Sequence, residues 1–289
     1  AYEIPKRDWS SDVCSSDLEE FDYPRLGPGQ LWENVAKTLE EKGAELHLNT
    51  GIDSIVQTGD NYLVSLSNGS KIVSSSIFSS APLFEIPRLL SAPQEILEAA
   101  SKLKHRDFLI VCLPVVEDNK VFDDNWIYIH DSIVKVGRIQ NYGQWSRELV
   151  KEGFTCLGLE YFVNAGDELW NEDDTALVSF ASRELETLGF RLDYVSNTGF
   201  VVRVPNAYPV YDEDYSSNVL KIRLWLEENH PNWFQIGRSA QHRYNNQDHS
   251  MLTAIRSVEN WIYRKNEDSW NVNIGEYLEV LDTREAPIT

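Results

Sequence analysis

Ile236-Gly237-Arg238-Ser239-Ala240-Gln241-His242-Arg243-Tyr244-Asn245-Asn246-Gln247-Asp248-His249-Ser250-Met251 reads as the end of a strand, a glycine stop, a dense polar loop and the start of a helix. Glycine at 237 lets another group come close to the backbone. The helix that follows offers free amides and the positive end of its dipole to an anionic or electron-rich ligand. This has the form of a cofactor site. The same residues also fit a plain junction whose polar side chains only cap and solvate.

Outward from this segment the chain mixes helices and strands. Downstream, Ser250 to Tyr263 reads as a final helix. Upstream, Trp233 to Ile236 is a short strand, and Tyr215 to Glu228 is an amphipathic helix with Val219, Ile222, Trp225 and Leu226 on its apolar side. Phe200 to Val204 is a strand running into the aromatic stretch Ala207-Tyr208-Pro209-Val210-Tyr211. Asp173 to Leu188 is a helix with an acidic first turn and Gly189 behind it. Phe108 to Val116, Trp126 to His130, Lys135 to Asn141 and Thr155 to Val163 are β-rich and follow a helical stretch from Pro93 to Leu103. Ile52 to Gln57, Tyr62 to Leu66 and Lys71 to Val73 alternate around Gly59-Asp60-Asn61 and Asn68-Gly69, the pattern of an antiparallel meander. Pro28 opens a helix with Leu31, Val35, Ala36 and Leu39 at helical spacing up to Gly43. Ala44 to Thr50 reads as a strand, and Ser76 to Ser80 as another, stopped by Ala81-Pro82. Beyond Lys265 there is no apolar period and acids outnumber bases, which predicts a solvated extension. No internal repeat is visible, and the order predicts α/β and α+β layers with two interleaved domains.

The 289 residues carry 46 acidic and 26 basic side chains, a formal charge of −20, and are 42% hydrophobic. That is the composition of a soluble globular chain, long enough for one large domain or two ordinary ones. So acidic a surface repels phosphate backbones and disfavours nucleic-acid partners, which need clustered Lys and Arg. The longest apolar runs, such as Phe108 to Val116, fall far short of a membrane span. Cys14, Cys112 and Cys156 have no CxxC or framework spacing. This argues against a disulfide scaffold or thiolate zinc site and makes a cytoplasmic location the expectation.

Asp8-Trp9-Ser10-Ser11-Asp12-Val13-Cys14-Ser15-Ser16-Asp17-Leu18 has neither the basic start nor the apolar middle of a signal peptide. It resembles a common short-read sequencing adapter translated in one open frame. Residues 1–18 are therefore read as artefactual and the chain as N-terminally truncated. Setting them aside removes two basic and four acidic side chains, so the rest still carries −18.

Several segments together resemble a family: Phe21-Asp22-Tyr23-Pro24-Arg25-Leu26-Gly27-Pro28-Gly29, Leu46-His47-Leu48-Asn49-Thr50, Asp124-Asn125-Trp126-Ile127-Tyr128-Ile129-His130, Gly158-Leu159-Glu160-Tyr161-Phe162, Val202-Arg203-Val204-Pro205-Asn206-Ala207-Tyr208-Pro209-Val210-Tyr211 and His242 to Leu252. They look like bacterial FAD-dependent oxidoreductases of the flavin amine-oxidase superfamily, in the style of protoporphyrinogen-oxidase-like proteins. The resemblance implies the C-terminal portion of a glutathione-reductase-type FAD-binding fold interleaved with a mixed-sheet substrate domain. On that basis residues 19–82 form an FAD-domain segment with the β-meander, 83–211 the substrate domain, 212–264 the C-terminal FAD segment and 265–289 a tail. It also implies that Gly237, Arg238, Asp248, His249, Ser250 and Met251 border the flavin and that Ile52 touches the adenine. A helix start there would favour negative charge on the reduced ring.

The chain departs from the family at one point. A dinucleotide fold requires GxGxxG after a first strand, and the chain contains none; Gly27-Pro28-Gly29 is followed by Trp32 where the third glycine would stand. The N-terminal GxGxxG βαβ unit is read as missing, and this chain by itself as binding FAD weakly or not at all and as inactive.

Tyr208 and Tyr211 are substrate-proximal candidates as aromatic walls. Arg203, Arg138 and Arg25 are candidates for holding an anionic substrate. Each of these also fits packing or pairing with one of the many acids. His242 and His249 lack metal-ligand spacing, no metal site is expected, and Cys112 and Cys156 lie in apolar strands where core packing is expected. Three readings stay open. The first is an FAD-dependent oxidoreductase taking a hydride from a small-molecule substrate. The second is a non-redox flavoenzyme similar to UDP-galactopyranose mutase acting on a nucleotide sugar. The third is a non-catalytic binding protein.

Overall fold

The computed structural model describes residues 22–116, 122–190 and 198–272. The adapter-like stretch, Phe21 and the tail after residue 272 lie outside the described residues. In chain order the elements are α1 (Gly29–Glu41), the meander β1 (Ile52–Thr58), β2 (Asn61–Leu66) and β3 (Lys71–Ser74), then β4 (Ile77–Ser79), α2 (Ile86–Leu89) and α3 (Gln94–Ser101). They continue through β5 (Lys104–Val116), β6 (Trp126–Tyr128), β7 (Arg138–Asn141), α4 (Tyr142–Trp145), a 3₁₀ turn (Arg147–Leu149), β8 (Phe154–Val163), α5 (Glu168–Asn171) and α6 (Asp174–Thr187). β9 (Phe200–Val210), α7 (Tyr215–Asn229), β10 (Trp233–Gln235), α8 (Gly237–Ala240) and α9 (Gln247–Tyr263) complete them. The fold is α/β with mixed sheets.

The chain forms two units interleaved in sequence: Asn49–Leu103 with the chain from Tyr211, and Asp22–Leu48 with Lys104–Val210. In the first, β1, β2 and β3 form the expected meander, with Gly69 at φ +85° in the turn that only glycine enters without strain. β4 pairs in parallel with β10, Phe78 beside Phe234. Tyr62, Ile86, Ile96, Ile222, Leu226 and Trp233 are among the residues of this unit's core.

In the second unit β6-β7-β8-β5-β9 form an antiparallel sheet. Strand alternation sends Leu109, Val111, Leu113 and Val115 of β5 and Leu157 and Leu159 of β8 to one side, where Leu177, Ala181 and Leu185 of α6 share their core. Full burial of each Leu contributes about 1.5–3 kcal/mol, so this side holds the layer together. The Asp173 side chain caps α6 by accepting from the Ala176 amide at 2.9 Å.

Four details differ from the sequence reading. Residues 44–50 are not a strand: they are irregular, with a turn at Leu48 and Asn49, where Asn49 takes a left-handed φ of +55°. β9 runs on through Pro205 and Pro209 to Val210, which its edge position permits because an edge strand can forgo ladder amides. α9 begins at Gln247, three residues early, because Asn246 and His249 form a capping box. The chain past Lys265 is not all solvated: Val272 is buried, and the Trp270 ring lies 5.0 Å from the Arg223 guanidinium.

Candidate functional site

In the first unit, the segment around Gly237 is built as a turn locked to the following helix. Gly237 has φ +77°, and its amide donates to Thr253 Oγ1 at 2.7 Å, fixing the turn to α9. Nε and Nη2 of Arg238 both donate to the Asn245 carbonyl, at 2.9 and 2.7 Å, while the guanidinium lies 4.5 Å from the Tyr244 ring centroid. Ser250 donates to Asn245 Oδ1 at 2.6 Å, and Asn245 is buried. The loop is thus rigid, although polar. His242, wholly buried at φ +47°, has its carbonyl held by the Tyr215 hydroxyl at 2.9 Å.

Within this unit the structure brings Gly237, Arg238, His249, Ser250 and Met251 together at the start of α9. In the capping box the Asn246 side chain accepts from the His249 amide. The first-turn amides of Gln247 and Asp248 have no intrahelical acceptor, as at any helix start, and both residues are exposed. A hydrogen-bonded glycine turn beside an exposed helix start offers free amides to an anionic or electron-rich group. Tyr211 is tied to the same loop, its hydroxyl accepting from the Tyr244 amide at 2.7 Å. Ile52 stands exposed at the start of β1, opposite Leu66.

In the second unit, taken by itself, polar groups gather on the side of its sheet turned away from α6. There Arg138 of β7 lies in register with Glu160 of β8, and Glu160 with Ile110 of β5. Nε of Arg138 donates to Glu160 Oε2, and Gln140 Nε2 donates to Oε1 at 3.1 Å. Trp145 Nε1 in turn donates to Gln140 Oε1 at 2.9 Å, and the Trp145 ring stacks on Trp126 at 5.2 Å. Burial raises the Glu160 carboxyl above its ordinary range, and the Arg138 and Gln140 bonds hold that rise in check. Tyr208 joins this face through Phe108 and Phe162, at ring distances of 5.9 and 5.8 Å. The result is a carboxyl group, 3% exposed, held by Arg138 and Gln140 on the same sheet side as these rings.

Arg203 and Arg25 are placed elsewhere. Arg203 pairs in register with Leu109 and so points to the α6 side, where it donates to the Trp170 and Glu172 carbonyls at 3.1 and 2.6 Å and to Asp174 at 2.7 Å. Arg25 is exposed and paired with Glu148. Sequence reasoning passed over Glu160, Gln140 and Trp145. The alternation Gly158, Glu160, Phe162 already put an acid on the side opposite Leu157, Leu159 and Tyr161.

No family model matches the chain, and no curated protein does. Solved structures do match its fold. Reduced UDP-galactopyranose mutase aligns with 89% of this chain and 56% of its own at 16% identity, with a TM-score of 0.74. A provisional protoporphyrinogen oxidase from Exiguobacterium sp. 255-15 aligns with 81% of this chain and 51% of its own at 16% identity and TM-score 0.64. A CLA-producing fatty acid isomerase from P. acnes aligns with 90% and 52% at 15% identity and TM-score 0.54. The chain spans about half the length of these structures, and at such identities the likeness is one of fold.

Proposed function

We propose that this chain is part of an FAD-dependent enzyme of the kind represented by UDP-galactopyranose mutase. The observation that carries the reading is the agreement with that mutase over 89% of the chain. In this reading the unit of residues 49–103 and the chain from 211 belongs to the FAD domain, and the unit of residues 22–48 and 104–210 to the substrate domain. Gly237, Arg238, Asp248, His249, Ser250 and Met251 would hold the flavin end of FAD and Ile52 its adenine. When bound, FAD supplies hydride acceptance or, in its reduced state, nucleophilic catalysis.

The chain's own residues would do the rest. The first-turn amides of α9 stabilise negative charge beside them. Glu160 holds or accepts a proton at its carboxyl, oriented by Arg138 and Gln140. Tyr208 and its aromatic neighbours orient a substrate and exclude water.

A second reading, FAD-dependent oxidation of a small apolar amine or alkene, is favoured by one observation. Arg25, Arg138 and Arg203 each already bond a carboxylate, whereas a nucleotide diphosphate calls for guanidinium groups directed at the ligand. Expression from the full genomic coding sequence separates the two. Turnover of a UDP-sugar only after dithionite reduction supports the first, and anaerobic bleaching of the flavin by an amine or alkene supports the second. A full-length protein that never acquires a flavin spectrum overturns both.

A further inference from the structure

A cavity of about 620 Å³ opens on the sheet side turned away from α6, wholly within the second unit. Ile110, Phe200 and Val202 make it apolar, and Cys112, Cys156 and Tyr142 line it as well. Cys112 lies opposite Gly158 and Cys156 opposite Pro114, so the two thiols are diagonal neighbours on one side of adjacent strands. Gly158 is the reason Tyr142 can join them: a Cβ there would stand 2.8 Å from the Tyr142 ring. Tyr142 adjoins Cys112, and Cys112 adjoins Cys156. Cys112 is buried, whereas Cys156 is only partly so.

The two thiols differ in chemistry. The neighbouring Cys156 and burial push the Cys112 thiol up, whereas the neighbouring Cys112 lowers Cys156 despite burial, and Cys156 is the less buried of the two on the cavity wall. A thiolate is the nucleophile, and a donated hydrogen bond favours it. An apolar pocket of a few hundred Å³ with a few convergent polar groups is also the usual form of a small-molecule site.

We propose that this cavity binds small apolar molecules carrying a C=C bond conjugated to a carbonyl, and that Cys156 adds to them. In the addition Cys156 Sγ bonds to the β-carbon, the π pair moves to the α-carbon, and the thiol proton ends there. No oxidant or reductant is involved.

The test uses the full chain with Cys14→Ser, so that the remaining thiols are Cys112 and Cys156. N-phenylmaleimide and unsubstituted maleimide are each timed against the protein and against glutathione, with peptide mapping by mass spectrometry. Cys156 is expected to be labelled first, with the phenyl reagent favoured about tenfold over the unsubstituted one after normalisation to glutathione. The unreactive N-phenylsuccinimide should slow labelling by occupying the cavity. Cys112→Ala should slow Cys156 with both reagents while leaving the phenyl preference intact, and Val202→Trp, checked as folded by its circular dichroism melt, should remove that preference. Labelling of Cys156 no faster than glutathione, or without preference for the ring, overturns the proposal.

Discussion

Glu160 is the residue on which the open sheet side turns. Its side chain is 4% exposed and its counter-charge is Arg138, 22% exposed. Removing one member of so buried a pair leaves the other without compensation, at a cost of about 3 kcal/mol. Glu160→Gln should therefore lower the urea midpoint strongly, whereas Glu160→Gln with Arg138→Leu should recover part of the loss; additive single effects would refute the coupling. His230 carries a pH signature. Its ring packs edge-on against Trp225 at 5.0 Å and near Tyr62 at 6.1 Å, and burial lowers its pKa. The unfolded chain then takes the proton first, so the neutral ring's contribution is complete above about pH 6.5 and declines as pH falls through the lowered value. Burial lowers His105 too, although Asp107 opposes the effect. Denaturation midpoints between about pH 8 and pH 5 should fall on the acid side, and His230→Leu should flatten that fall relative to His105→Leu. An unchanged slope in His230→Leu would rule out its role.

Elements whose evidence is local were readable from the residues. The meander follows from alternation around Asn68-Gly69, and α6 from Asp173 before an apolar period. What could not be read depends on partners distant in the chain. Nothing local says that a left-handed Asn49 breaks up residues 44–50, or that the register sets Arg138 beside Glu160 while Arg203 points to the other side. The loop after Gly237 was legible as a strand, glycine and helix, but the pairing of Arg238 with Asn245 needed coordinates. Asp107 shows how one side chain can hold an element in place. It sits in the bulge of β5 between Arg106 and Phe108, where its Oδ1 accepts from the Asn206 amide at 2.7 Å and its Oδ2 from the Ala165 amide. Asp107→Ala leaves both amides without an acceptor, and a loss of about 2 kcal/mol or more is expected in thermal melts, with faster hydrogen exchange at Asn206. Exchange unchanged at Asn206 would show that the bulge holds without it.

For the whole molecule, charge and exposed apolar surface oppose each other. Leu31, Val35 and Leu39 of α1 are exposed, as are Leu252, Ile255, Val258 and Ile262 of α9 at three- and four-residue spacing. Exposed apolar stripes favour self-association, while a net charge of −20 resists it. Screening weakens only the repulsion, so sedimentation velocity should show larger species at about 500 mM salt than at about 50 mM. A weight-average mass that does not rise with salt would count against this balance.

The pairing of β4 with β10 joins segments roughly 150 residues apart in the chain. During synthesis Ile77–Ser79 must wait for Trp233–Gln235, whereas every strand of the five-stranded sheet has emerged by Val210. The unit of residues 22–48 and 104–210 can therefore fold on the ribosome before the other unit is complete, and nascent chains arrested between these two points should already protect β5 and β8 from protease while Ile77–Ser79 is still cleavable.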